Sequence, residues 1–214
     1  MNGMLKRCAV TTMAVAVLFF AGCTQSTTNA PAGSESQAAA KPAAPTEPVP
    51  AKTAFWPMYT SARNWAPDIQ TISVVAGEVP GFKNEAGKAA MWEATFGSPS
   101  LRQSRVYTYA ITTVQPDIRK GVTAGLAGTW GGITRNAMPI DLTSFTVDSD
   151  AAYQAAASDA AGWLKTNPQK LLSSVELGDS YRFPFPAWYL VWGDAKSGYA
   201  AFVDASTGKV LKKK

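Results

Sequence analysis

The sequence predicts an α+β fold in which a helix packs on an antiparallel sheet, arranged as two similar tandem units. Three observations predict it. Trp188, Leu190 and Trp192 alternate with Ala187, Tyr189 and Val191, the period of two that a half-buried strand requires. Tyr153, Ala157, Ala160 and Leu164 form a stripe of helical period. A pattern of marks also recurs: Trp92 to Gly97 matches Trp188 to Gly193 as W-x-x-x-(aromatic)-G, 96 residues apart. Trp65 likewise stands 98 residues before Trp163, each near the end of an expected helix.

At the N-terminus, Lys6 and Arg7 precede an apolar run over 10–21, the charged and apolar regions of a signal peptide. The run is shorter than the roughly 18 apolar residues a membrane span needs. It ends at Phe20-Ala21-Gly22-Cys23, which resembles the lipobox of bacterial lipoproteins, with Phe20 where Leu is usual. The resemblance implies a signal peptide over 1–22 and Cys23 as the lipidated first mature residue. Each buried CH₂ contributes about 0.8 kcal/mol, so several palmitate-like chains make a lasting membrane anchor. Thr24 stands where Asp would favour inner-membrane retention; this resembles sorting to the periplasmic face of the outer membrane.

Residues 23–52 hold Ala, Pro, Ser and Thr and no aromatic. Such a stretch cannot bury enough apolar surface to offset its ordering entropy, and it reads as a disordered tether. At roughly 5–6 Å × √n it spaces a domain on the order of 30 Å from a membrane.

The first unit is expected over 53–139. Its helix is expected over Pro57–Ala66, closed by Pro67. Strands are expected over Ile69–Val75, Ala89–Phe96 and Arg105–Val114, with a polar loop over 77–87. The second unit, 140–214, opens with a strand expected over Ile140–Val147. Asp148-Ser149-Asp150 supplies a cap for a helix over 151–166, and Pro168 stops it. A strand over Leu171–Leu177 and the extended Phe183-Pro184-Phe185-Pro186 lead into the final strands from Ala187 to Leu211.

Those last strands close on Phe202-Val203-Asp204-Ala205-Ser206-Thr207-Gly208-Lys209-Val210. With the helix before them and the aromatic strand Trp188-x-Leu190-x-Trp192, they resemble a PepSY-type domain. The resemblance covers Asp150–Leu211 and extends weakly to the earlier copy. It implies an α+β unit of envelope proteins and peptidase propeptides, where control of peptidases has been proposed.

The residue inventory excludes much chemistry. The chain has no histidine, which removes the commonest general base, the commonest metal ligand and any Ser-His or Cys-His pair. Of two cysteines, Cys8 leaves with the signal and Cys23 takes lipid. Without Lys6 and Arg7 the chain carries 18 basic against 15 acidic residues. No basic stripe interleaved with aromatics marks a nucleic-acid reader.

The glycine-rich run over 121–132 lacks the Lys-Ser/Thr ending of a phosphate loop and reads as a loop between copies. Trp130 within it suits partner or membrane contact. Trp92, Trp188 and Trp192 are expected in the core or, alternatively, on an aromatic groove facing an apolar ligand or peptide. Glu93, inside a strand, is expected on the solvated face.

The sequence therefore points to a lipid-anchored, non-catalytic envelope module without metal or cofactor. Its expected partners are a peptide, a peptidase or another envelope protein, bound through Trp92, Trp130, Trp188 and Trp192. The alternative is carriage of a lipid or small apolar ligand between helix and sheet.

Overall fold

A computed structural model describes residues 45–194 and 197–211; the expected signal peptide and Cys23 lie outside the described residues. Helix α1 spans Ala51–Trp65 and buries Ala51, Ala54, Phe55, Met58 and Ala62, a stripe of helical period. It starts at Ala51 rather than at Pro57, which sits exposed inside it. Lacking an N–H, Pro57 forgoes one helical hydrogen bond. The helix ends where Ala66 turns extended before Pro67.

The chain then forms β1 (Gln70–Gly77), β2 (Met91–Ser98), β3 (Gln103–Ala110), β4 (Gly121–Ala124) and β5 (Gly128–Thr129). After a long connection come α2 (Ser149–Asp159), α3 (Ala161–Thr166), β6 (Leu172–Gly178), β7 (Ala187–Trp192), β8 (Tyr199–Asp204) and β9 (Val210–Leu211). The nine strands make one antiparallel sheet in the order β4-β3-β2-β1-β6-β7-β8-β9, with β5 also on β3. Trp92, Ala94 and Phe96 of β2 and Trp188, Leu190 and Trp192 of β7 are buried. Residues between them on each strand turn to the opposite face, where Glu93 is exposed.

Four sequence expectations need correction. The tether does not run to residue 52: Val49 is buried, and its N–H and C=O both pair with Ala89. Residues 140–147 are not a strand. The Asp141 carboxylate accepts the Thr143 N–H and both the Thr143 and Ser144 hydroxyls, which turns the chain and leaves Ile140 and Phe145 buried. The single helix over 151–166 is two helices meeting at Ala160. The glycine-rich run, read as a loop, holds β4 and β5.

Each half presents a helix and then a meander, and the two halves share a register. Trp92 Nε1 donates to the Val49 carbonyl at 2.9 Å, and Trp188 Nε1 donates to the Val147 carbonyl at 3.0 Å. Each carbonyl belongs to the residue just before a helix cap, Pro50 or Asp148. Pairing of β1 with β2 slips by one residue between Thr71 and Ser73; pairing of β6 with β7 slips between Leu172 and Ser174. Phe55 lies 6.1 Å from Phe96 as Tyr153 lies 5.9 Å from Trp192. Arg105 covers Trp65 where Tyr199 covers Trp163.

At the centre of the sheet Val75 pairs with Glu176. Each stands four residues after the matched Thr71 or Leu172, so matched positions face each other. A two-fold relation between the halves requires this register.

The helix N-termini meet at this centre. Pro50 gives α1 no side-chain cap. Instead the Lys52 N–H donates to Asp148 Oδ1 at 3.0 Å, and the Ala51 N–H donates to the buried Ser149 Oγ at 2.8 Å. Asp148 Oδ1 also accepts the Ser149 N–H of its own helix at 2.7 Å. One carboxylate thus serves both positive helix ends.

Candidate functional site

The structure does not bring the four singled-out tryptophans to one surface. Trp92 and Trp188 are fully buried and meet edge-on at 6.4 Å. An open aromatic sheet face built on them is therefore corrected: α1 and α2 cover that side, and both indole N–H groups are used inside the fold. Trp130 lies apart, on the face without helices. Gly97 points away from the Phe96 side, and a Cβ built there would stand 2.7 Å from the Trp130 ring. The indole packs flat on a glycine that leaves room for it. It edges a hollow of about 440 Å³ with Gln70, Pro99, Arg102 and Ile133.

Trp192 is the one that reaches a sizeable cleft. The cleft encloses about 740 Å³, within the range of ligand sites. One wall is the β1–β2 loop with Val79, Phe82 and Lys83; the other is Tyr153 of α2, Leu164 of α3, Leu172 of β6 and Trp192 of β7. Trp192 is 3 % exposed and is held by the rings of Tyr153 at 5.9 Å and Tyr199 at 6.3 Å. The Tyr199 hydroxyl donates to Asp159 at 2.8 Å, and that bond together with the nearby charge raises the phenol's pKa. Leu171 at the mouth is 70 % exposed.

The charges sit at the rim. Lys170 Nζ reaches Asp194 Oδ2 at 3.0 Å and Ser197 Oγ at 2.8 Å, and its stem lies against Gly193. Glu78, Lys83 and Glu85 complete the border. The apolar floor and mixed-charge rim suit an amphipathic ligand whose polar parts stay at the mouth. Sequence reasoning found Tyr153, Leu164 and Trp192 as periodic apolar positions. It missed Val79 and Phe82 because they lie in a loop read only as polar. Their signal was two large apolar residues, with Pro80, inside a stretch that needed none for turning.

The motif of the final hairpin proves to be turn chemistry. Asp204 Oδ1 accepts the Ser206 N–H at 2.7 Å, and Oδ2 accepts the Thr207 hydroxyl at 2.7 Å. Burial alone would raise its pKa, but the bonds from Thr207 and Ser206 outweigh it and hold the carboxyl below the usual range. Gly208 takes φ +73°, which opens the way to β9. On the helix-free face Glu176 is pushed up by burial. Among the described residues no cluster of three or more Cys, Asp or Glu is placed to hold a metal ion. No described helix is long and apolar enough to cross a membrane.

No family model matches the chain, and no curated protein matches it. Among solved structures the chain is similar in fold to a candidate lipoprotein, CD1622, of Clostridium difficile 630. The TM-score is 0.52 at 11 % identity, covering 78 % of this chain and 93 % of that one. At that identity the likeness speaks for the fold: α+β, helices on an antiparallel sheet.

Proposed function

We propose that this is a lipid-anchored cell-envelope protein, non-catalytic, that binds a partner in the cleft between the β1–β2 loop and the α2–α3–β6 wall. The cleft carries the reading: about 740 Å³ with Trp192, Tyr153, Phe82, Leu164 and Leu172 inside and its charges at the rim. The anchor rests on Ala21-Gly22-Cys23, with Cys23 acylated and Thr24 directing the protein to the periplasmic face of the outer membrane. The matched register of the two halves supports a tandem duplication, and the Asp204–Gly208 turn supports a PepSY-like unit in the second. The partner class this implies is a peptide, a peptidase or another envelope protein. Carriage of a lipid or small apolar ligand would use the same cleft, and its apolar floor is the observation that favours that second reading.

Two measurements test it. Mass spectrometry of the mature N-terminus should show an acylated Cys23, and Cys23→Ser should release the protein from membranes; an unmodified, uncleaved N-terminus overturns the anchor. A fluorescent apolar probe such as N-phenyl-1-naphthylamine should bind saturably. Leu172→Arg should weaken it roughly tenfold, the effect of losing about 1.4 kcal/mol. Binding indifferent to Leu172→Arg sinks the cleft as the site.

A further inference from the structure

Each half offers a groove beside its helix, walled by matched residues: Phe55, Thr71 and Phe96 in the first, Tyr153, Leu172 and Trp192 in the second. In the first half the chain closes its own groove. The Ile140 N–H donates to the Thr71 carbonyl at 2.8 Å. Phe145 lies 5.5 Å from Phe55 and 5.8 Å from Trp188, and Leu142 packs against the core. The plug is a turn: the Ser144 N–H returns to the Asp141 carbonyl at 3.0 Å, and the Asp141 side chain faces out to Thr143 and Ser144. In the second half Tyr153, Leu172 and Trp192 line the cleft instead, with the β1–β2 loop as its far wall.

We infer that the cleft takes a polypeptide turn of the same kind from a partner protein: a short segment with apolar side chains spaced as in Ile140-x-Leu142-x-x-Phe145, and an acidic or hydroxyl residue turned outward. The first groove shows what its walls accept: two or three large apolar side chains and a main-chain N–H given to the carbonyl at the foot of the first strand. The second offers the same foot at Leu172. It offers wider aromatic walls, since Trp192 stands where Phe96 does, and its exposed mouth at Leu171 admits a separate chain. This rests on the proposed role of the cleft and narrows its occupant to a peptide.

The test uses the mature protein and a fluorescein-labelled peptide with the sequence of residues 138–146, MPIDLTSFT, followed by anisotropy. Saturable binding is expected, weakened about tenfold by Leu172→Arg and unchanged by Ile133→Arg on the helix-free face. A peptide with Ser at the Ile, Leu and Phe positions should not bind. Absent saturable binding, or binding indifferent to Leu172→Arg, overturns the inference. If N-phenyl-1-naphthylamine binds in a Leu172-dependent way while the peptide does not, the cleft stands as a site and the peptide class falls. If neither binds, both fall. A peptide of residues 24–44 binding more tightly, with the same Leu172 dependence, would assign the cleft to this chain's own segment and overturn the partner.

Discussion

Replacing Asp148 by Ala tests whether the two halves are held together at their helix ends. Oδ1 accepts N–H groups from Lys52 and Ser149 at 3.0 and 2.7 Å, so one substitution removes a cap bond from α1 and from α2 together. A helix cap bond contributes about 1 kcal/mol, and a carboxylate at a helix N-terminus adds roughly 0.3–1 kcal/mol even where exposed. The expected loss is therefore about 2–3 kcal/mol, a large part of a typical stability of about 5–15 kcal/mol. Asp148→Asn keeps an acceptor oxygen and gives up the charge, so about 1 kcal/mol is expected. Asp150→Ala is the control: among the described residues its carboxylate bonds only the adjacent Ala151 N–H, at the exposed side, and about 0.5 kcal/mol or less is expected. Urea unfolding followed by tryptophan fluorescence reads all three. If Asp148→Ala costs no more than Asp150→Ala, the shared cap does not join the halves and the reasoning fails.

Three further outcomes follow from the same contacts. Trp92→Phe and Trp188→Phe each remove an indole N–H from a main-chain carbonyl, that of Val49, which keeps the Ala89 N–H, or that of Val147, and leave a gap; both should cost about 2–4 kcal/mol in urea unfolding, and one near-neutral variant would refute their equivalence. Asp204 ionises more readily folded than unfolded. Its contribution is full above the unfolded value near pH 4 and is lost as pH falls through the lower folded value. Asp204→Ala should accordingly cost about 2 kcal/mol at pH 7, with the gap to the parent closing in acid; a constant gap down to pH 2 would exclude the carboxylate as the cause. Glu176 is shifted the other way, so its ionised form costs stability that returns as pH falls through its raised folded value. Glu176→Gln should stabilise by about 0.5 kcal/mol at neutral pH, the small size reflecting solvent screening, and a loss of stability on that change would refute it.

The strands were legible wherever side chains alternate between a wet and a dry face. Trp188 to Trp192 is such a run, and so is Arg105 to Ala110. The helical stretch after Asp148 was legible from Tyr153, Ala157, Ala160 and Leu164, although the side α2 buries most fully is that of Ser149, Ala152 and Ala156. What the sequence hid was non-local. Residues 140–147 are apolar enough for a strand, but Asp141 finds its partners two and three residues ahead, and local bonding outcompetes pairing. The start of α1 was hidden because Pro50 carries no capping group; its cap comes from Asp148 and Ser149, almost a hundred residues away. The tryptophans were legible as a set and not as a site, since periodicity says which residues share a face and not whether a helix covers it.

On the proposed duplication the chain carries two matched grooves, and it has one connection with which to fill them. That connection, residues 130–148, lies beside the first half, where Ile140 and Phe145 close the groove. The stretch that precedes α1 as Ile140–Phe145 precedes α2 is residues 42–47, PAAPTE. Proline and alanine there offer none of the large side chains that fill the first groove, so covalent order does not supply the second groove with an equivalent plug. Burying Leu172, Leu164 and the edge of Trp192 beneath an apolar segment would gain roughly 25 cal/mol per Å². On the proposed reading, the asymmetry between the halves is itself the source of the binding site: matched walls, closed once from within, are left once to a partner.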